Sequence, residues 1–446
     1  MVLTPHPIDE HLGTAGSIRL MCIYGLDRRN RAAFGQGATL ASAWPLGRFE
    51  SHFERGRETA IQVEAVTTLR TVALSWVPLG AAVPARLRTR MRLLWLVTPM
   101  GDRLLVAELV LSRAITRAQL IAVLQGTCFE RKTLRIDGAP IRDALPSPGA
   151  LGAGAEGGPA ADGIFAQDVH QVVCIPPECP HLGGSVLELV YRELGGHDPV
   201  HASAGEPAEL NRVPGGSCRH GRGVTVLTGH SPHVQYGVAG VACHVVAAQH
   251  QLRSLRARAA AVLADARSPV DRGSPETHLS YLAGKERESS EMRADLTFGV
   301  ENYCDSTLFP DMVLESYQSS LVGLIGLHDA SAACDRMLDR LRDLLRVHRA
   351  EIAAELAQRA QRRRRAWLVV AGFFTVLVAP LSLAFSFFGV NTTDVGTGGR
   401  EHSLFSLSEF GWFWGPVAGA TLVIAILAVL VLIDRPHRLW RWLFER

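Results

Sequence analysis

The chain has 446 residues, 47% of them hydrophobic and 20% charged, with a formal net charge of +3 and a mean hydropathy of +0.12. These values exclude a disordered chain, a disulfide-dense mini-scaffold and a single small domain. Of the 46 basic residues only Lys132 and Lys285 are lysine, and 43 acidic residues nearly cancel them, so no global basic field attracts a polyanion and nucleic acid is not expected as a partner.

Residues 1–143 read as a cytoplasmic α/β region. Strand character falls at 17–25, 90–99 and 103–111, with Met100-Gly101-Asp102 as a hairpin turn, and 115–125 has helical spacing. Residues 144–165, rich in Gly, Ala and Pro, read as a linker, and their glycines lack the Lys-Ser/Thr ending of a phosphate loop. A second α/β region follows at 166–235. Strands are expected there at 170–175, 185–194 and 223–229, and loop at 195–222; whether it joins the first region or forms its own subdomain stays open.

No nucleophile, base and oxyanion grouping assembles from adjacent motifs, so the chain does not read as an enzyme and no covalently bound cofactor is implied. The eight cysteines form no regular framework and the N-terminus has no apolar secretory segment, which predicts reduced thiols. Cys174, Cys179, His181, Cys218 and His220 could be grouped as zinc ligands. Their spacing fits no tight ligand knuckle, and ordinary buried thiols are the plainer expectation.

Residues 236–365 form a helical region and stalk. One helix is predicted over 245–267, and Ser274-Pro275-Glu276 opens another, with serine as N-cap and proline at the first helical position. Between Pro310 and Pro380 no proline intervenes, room for one very long helix with weak points at Gly323 and Gly326. Leu338, Leu341, Leu345, His348, Ile352 and Leu356 recur along one seam, which reads as a packing face.

Two uncharged runs of 23 residues, 366–388 and 411–433, each give about 34 Å of helix and are long enough to cross a bilayer. They are joined by a loop, 389–410, and followed by a basic tail, 434–446. Arg359, Arg362 to Arg365, Arg435, Arg438, Arg441 and Arg446 flank the runs on one side, against Arg400 alone in the loop, so both termini should be cytoplasmic and the loop external. The fold class expected is an α+β membrane protein with an N-terminal cytoplasmic α/β region, a long helical stalk and two C-terminal transmembrane helices. Two spans cannot enclose a polar path within one chain, so a pore would need several copies.

Pro380-Leu381-Ser382, followed by Phe388-Gly389-Val390-Asn391, resembles the signature of the CorA family of divalent cation channels, and the architecture of roughly 270–446 is similar to that family. The resemblance implies a homopentamer in the cell membrane that carries a divalent cation, magnesium or zinc, as cargo or regulator and is gated by its cytoplasmic domain. It places Gly389 and Asn391 at the ion entry ring and Ser382 on the pore wall. Leu377, Phe374 and Val370 are candidates for an apolar gate. Neutral amide oxygens can hold hydrated magnesium without stripping its waters. Val390 stands where the family carries methionine, and Arg362 to Arg365 lie at the cytoplasmic end of the first run, where a cation conduit is better served by neutral groups. A second reading follows from these departures: a membrane-anchored, signal-responsive effector or scaffold on a CorA-like stalk without selective transport.

Overall fold

A computed structural model of the protein describes residues 17–26, 38–54, 61–67, 70–76, 85–99, 101–128, 135–140, 168–183, 186–192, 209–210, 215–267, 275–304 and 311–373, together with 375, 382, 411–412, 415, 419, 422–423 and 426. The chain divides into two compact units, residues 1–269 with 284–344 and residues 270–283 with 345–446.

The first unit is built on one mixed sheet. Its strands are β1 (Ile18–Leu26), β2 (Ala38–Thr39), β3 (Gln62–Val66), β4 (Arg70–Trp76), β5 (Ala85–Val97), β6 (Arg103–Leu111), β7 (Arg135–Ile136), β8 (Ala139–Pro140), β9 (Val169–Ile175), β10 (Ser217–His220) and β11 (Val224–Thr228). The order is β10-β11-β9-β1-β6-β5-β4-β7-β8, with β3 also on β5 and β2 on β3. Strands from both sides of the Gly/Ala/Pro-rich stretch therefore share a single sheet. Gly101, at φ 82°, lies in the hairpin between β5 and β6, where Thr98 N–H donates to the Asp102 carbonyl.

The parallel pair of the sheet is β9 with β11, and it corrects one expectation. Segment 185–194 reads as a strand from its apolar run, yet α4 (Val186–Tyr191) is a helix, preceded by the short α3 (Pro180–Gly183). Parallel neighbours need a crossover, and a short apolar run does not reveal by periodicity whether it is strand or helix. Strand β10 lies inside the stretch expected to be loop. Its four residues become a strand by pairing with β11, from Ser217 opposite Thr228 to His220 opposite Thr225.

The period of two sorts each strand onto two faces. On the first face Leu20, Cys22 and Tyr24 of β1, Met91, Leu93 and Trp95 of β5, and Leu105, Ala107 and Leu109 of β6 form an apolar core. Helix α2 (Arg117–Cys128) supplies Leu120, Ile121, Val123 and Leu124 to it, and α4 supplies Leu189 and Val190. Earlier in the chain lies the short α1 (Glu50–Glu54). Over the second face runs α5 (Pro232–Arg267), longer than expected at its start. Its buried stretch from Val238 to Ala248 meets α1 closely: a Cβ at Gly240 would lie 2.5 Å from the Phe53 ring.

At the centre of the second face Glu108 of β6 is fully buried. Arg92, directly opposite on β5, donates to its Oε2 from Nε at 3.0 Å and Nη2 at 2.6 Å. Arg19 of β1 is ion-paired to Oε1 at 3.1 Å, and Tyr236 of α5 donates its hydroxyl to Oε1 at 2.7 Å. The Arg19 guanidinium also lies 4.7 Å over the Tyr236 ring. Burial pushes the Tyr236 hydroxyl pKa well up, so it stays a donor.

The remaining described elements are helical. Helix α6 (Pro275–Asp295) opens with Pro275 and continues into a wider π turn, Leu296–Glu301, and a last turn, Asn302–Cys304. Helix α7 (Met312–Ile325) is capped by Asp311, whose side chain accepts from Val313 N–H at 3.1 Å, and it ends at Gly326, left-handed at φ 75°. Helix α8 (Leu327–Phe373) starts at the next residue and runs 47 residues. The predicted weak point is thus a real break at Gly326, whereas Gly323 stays inside α7.

Glu108→Gln leaves Arg19 and Arg92 facing a neutral amide in a buried site. It is expected to lower unfolding stability by about 3 kcal/mol or more, read from denaturant unfolding of the purified chain.

Candidate functional site

Of the residues predicted to line a pore, Val370 lies near the end of α8 and is half-buried, and Ser382 is helical and exposed. Gly389, Asn391, Leu377 and Phe374 lie outside the described residues. Most of both apolar runs lies there too. Among the described residues no helix is long and apolar enough to cross a membrane. Helix α8 passes without a break through Arg362 to Arg365, all exposed, into the first eight residues of the first run before ending at Phe373. The seam is visible in its burial: Leu338, Leu341 and Leu345 are buried, and His348, Ile352 and Leu356 are half-buried between exposed neighbours.

In the first unit Arg293 of α6 bonds Asp339 of α8 at 2.7 Å and is ion-paired with Asp335 at 3.2 Å. These side chains are about 40% exposed, so the pairs orient the helices more than they stabilise them. At the break before α8, Arg222 from the β10–β11 turn donates to the carbonyls of Leu324 at 3.2 Å and Ile325 at 3.4 Å. A cation here satisfies the last carbonyls of α7 and suits the negative end of its dipole.

One turn and more back along α7, a buried polar cluster fastens the same helix to the sheet. His170 Nε2 of β9 lies 2.8 Å from the Thr225 hydroxyl of β11, which lies 2.7 Å from the Tyr317 hydroxyl. His220 of β10 meets the Tyr317 ring edge-on, centroids 5.5 Å apart, and bonds Ser320 at 2.9 Å. Burial holds the His170 pKa down to about 3, helped by the nearby charges of His220 and Arg192, and burial holds that of His220 down to about 4. Both rings are therefore neutral at neutral pH, and the cluster is an uncharged hydrogen-bonded clasp. His220 and Tyr317 lie 97 positions apart in sequence, and only the edge position of β10 brings them together; no spacing rule could have paired them.

The grouped zinc candidates do not converge. Cys174 and Cys218 share the second face with β11 between them, about 10 Å at the spacing of strands, while Cys179 belongs to the core on the first face. Among the described residues no group of three or more His, Cys, Asp or Glu side chains could hold a metal ion. The eight cysteines are free thiols, and burial raises Cys22 to about 11 and Cys174 and Cys218 to about 12, which makes them poor nucleophiles and ligands.

No protein-family model matches the chain, and no curated protein matches it. Among solved structures, that of the full-length CmaX protein aligns with 67% of this chain and 94% of its own at 13% identity, with a TM-score of 0.28. A superposition that loose carries no argument about fold or function.

The clasp gives a pH dependence. Both histidines have folded pKa values below their ordinary 6.5, so the unfolded chain binds protons first as pH falls, and their contribution is complete above about 6.5 and lost toward 3–4. Between pH 7 and 5 stability is expected to drop by about 1–2 kcal/mol per histidine, and His170→Asn with His220→Asn should flatten that slope in an unfolding series over the same range.

Proposed function

We propose that the chain is a CorA-like homo-oligomeric membrane channel for a divalent cation, magnesium or zinc, gated by its cytoplasmic sheet domain. In this reading it assembles as a pentamer in the cell membrane with both termini cytoplasmic. Gly389 and Asn391 form the entry ring, Ser382 a polar ring, and Leu377, Phe374 and Val370 an apolar constriction. The observation that carries it is the continuity of α8, which runs as one helix from its buried seam through the arginine block into the first apolar run. Just past the arginines Trp367 is 72% exposed and Leu368 64%, and in the second run Trp412, Leu422, Val423 and Ile426 are each more than half exposed. Side chains of this kind on one chain's surface suit lipid or a second copy.

Gating follows from how α7 is held. The histidine clasp and Arg222 bind α7 to the sheet, and α8 begins one residue beyond its end. A change at the sheet can then bias α8 without any contact to the pore, through a joint where Gly326 alone absorbs the turn.

The second reading, an effector or scaffold on a closed stalk, is favoured by Arg362 to Arg365, because five copies of that block around an axis repel cations unless they turn to lipid headgroups. Ion flux into vesicles reconstituted with the protein separates the two. The channel reading expects magnesium or zinc flux from the native chain and a loss of at least about tenfold in Asn391→Ala, equivalent to about 1.4 kcal/mol at the entry ring. No native flux, or flux unchanged by the substitution, sinks it. A monomer or dimer in detergent sinks it sooner.

A further inference from the structure

The β5 sequence Arg86-Leu87-Arg88-Thr89-Arg90-Met91-Arg92 places four arginines at alternate positions, so all four share the second face of the sheet about 6.8 Å apart. Only the last is neutralised in the way a sheet ordinarily manages charge. Arg92 stands opposite Glu108, whereas on β4 the residues opposite Arg90, Arg88 and Arg86 are Thr71, Ala73 and Ser75, and on β6 Val110 faces Arg90. Among the described residues neither Arg88 nor Arg90 makes an ion pair or a side-chain hydrogen bond, and the same is true of Arg113, which follows β6.

These three arginines line one cleft of about 470 Å³, within the size range of small-ligand sites. Ser17, Thr71 and Ser112 bring hydroxyl groups to its wall, and no acidic side chain lines it. Arg88, Arg113, Thr71 and Ser112 are exposed and Arg90 half-buried, so the guanidinium groups are open to an incoming ligand. Three guanidinium groups held this close repel one another in the free chain, and a compact polyanion removes that repulsion while accepting their hydrogen bonds.

We propose that this cleft is a binding site for the polyphosphate group of a small ligand. The guanidinium fork matches two phosphate oxygens at once, the hydroxyls add neutral donors between the forks, and three positive charges match a di- or triphosphate. No aromatic side chain lines the cleft, so recognition falls on the phosphates and there is no stacking platform of the kind single-stranded nucleic acid uses. The inference does not depend on the channel reading, since it concerns the sheet of the first unit alone.

The test is titration calorimetry of the full-length chain in detergent with inorganic tripolyphosphate. One tripolyphosphate per chain is expected, with orthophosphate much weaker. Arg88→Gln with Arg90→Gln should weaken binding by at least about 30-fold, as two charge-assisted contacts are lost. Arg86→Gln, which removes the same charge from the strand outside the cleft, should change it by no more than about twofold if contact rather than net charge decides. Should the double variant fail to fold by circular dichroism, Arg113→Gln on the exposed loop takes its place with the same expectation of weakened binding. No binding by the native chain overturns the proposal. So does an equal loss in Arg86→Gln, which makes the effect bulk charge, or citrate binding as tightly as tripolyphosphate, or preference for a single-stranded oligonucleotide.

Discussion

A carboxylate cannot be taken out of water without partners, and Glu108 determines much of how the first unit is put together. It collects Arg92 from the neighbouring strand on one side, Arg19 from the neighbouring strand on the other and the Tyr236 hydroxyl from the helix above. A slip of one residue in β6 would turn Glu108 onto the apolar face and leave two arginines buried without a counter-charge, so the register of β1, β5 and β6 is tied to this one side chain. The same bond fixes where α5 lies. From there Gly237 and Gly240 admit Phe49 and Phe53 at distances no larger residue would allow.

The two faces of the sheet have different work. The first is dominated by Leu, Val and Ile beneath α2 and α4, with one polar bracket where Arg192 Nε donates to Gln171 at 2.6 Å. The second holds the Glu108 network, the histidine clasp and the row of β5 arginines. Because an uncharged clasp is insensitive to salt and to small pH changes near neutrality, it suits a permanent attachment of α7. The arginines suit the opposite role. Their charges lack an acid across the strand, and the strand that carries Arg88 and Arg90 also carries Arg92, so an anion held there lies two residues from the central carboxylate network.

The helical half was the more readable in sequence, because its signals are local. Pro275 at a helix start, Gly326 as a weak point and the leucine seam each depend on neighbours within a turn or two. The strands were legible where a near-continuous apolar run extended over eight or nine residues, as in β1 and β6. They were not legible at β10, whose four residues carry no pattern of their own, and 185–194 read as a strand where the structure, with β9 and β11 paired in parallel, has a helix.

Composition and order along the chain determined the two uncharged runs, the arginine asymmetry around them and the Gly389-Val390-Asn391 step, all of which are properties of contiguous sequence. The alternate arginines of β5 were also present in sequence as a period of two. What only the tertiary structure decided was which of them meets an acid, because Arg92 and Glu108 lie 16 positions apart and Arg88 and Arg113 lie 25. Charge compensation is a matter of distance in space, and that distance is set when the strands pair.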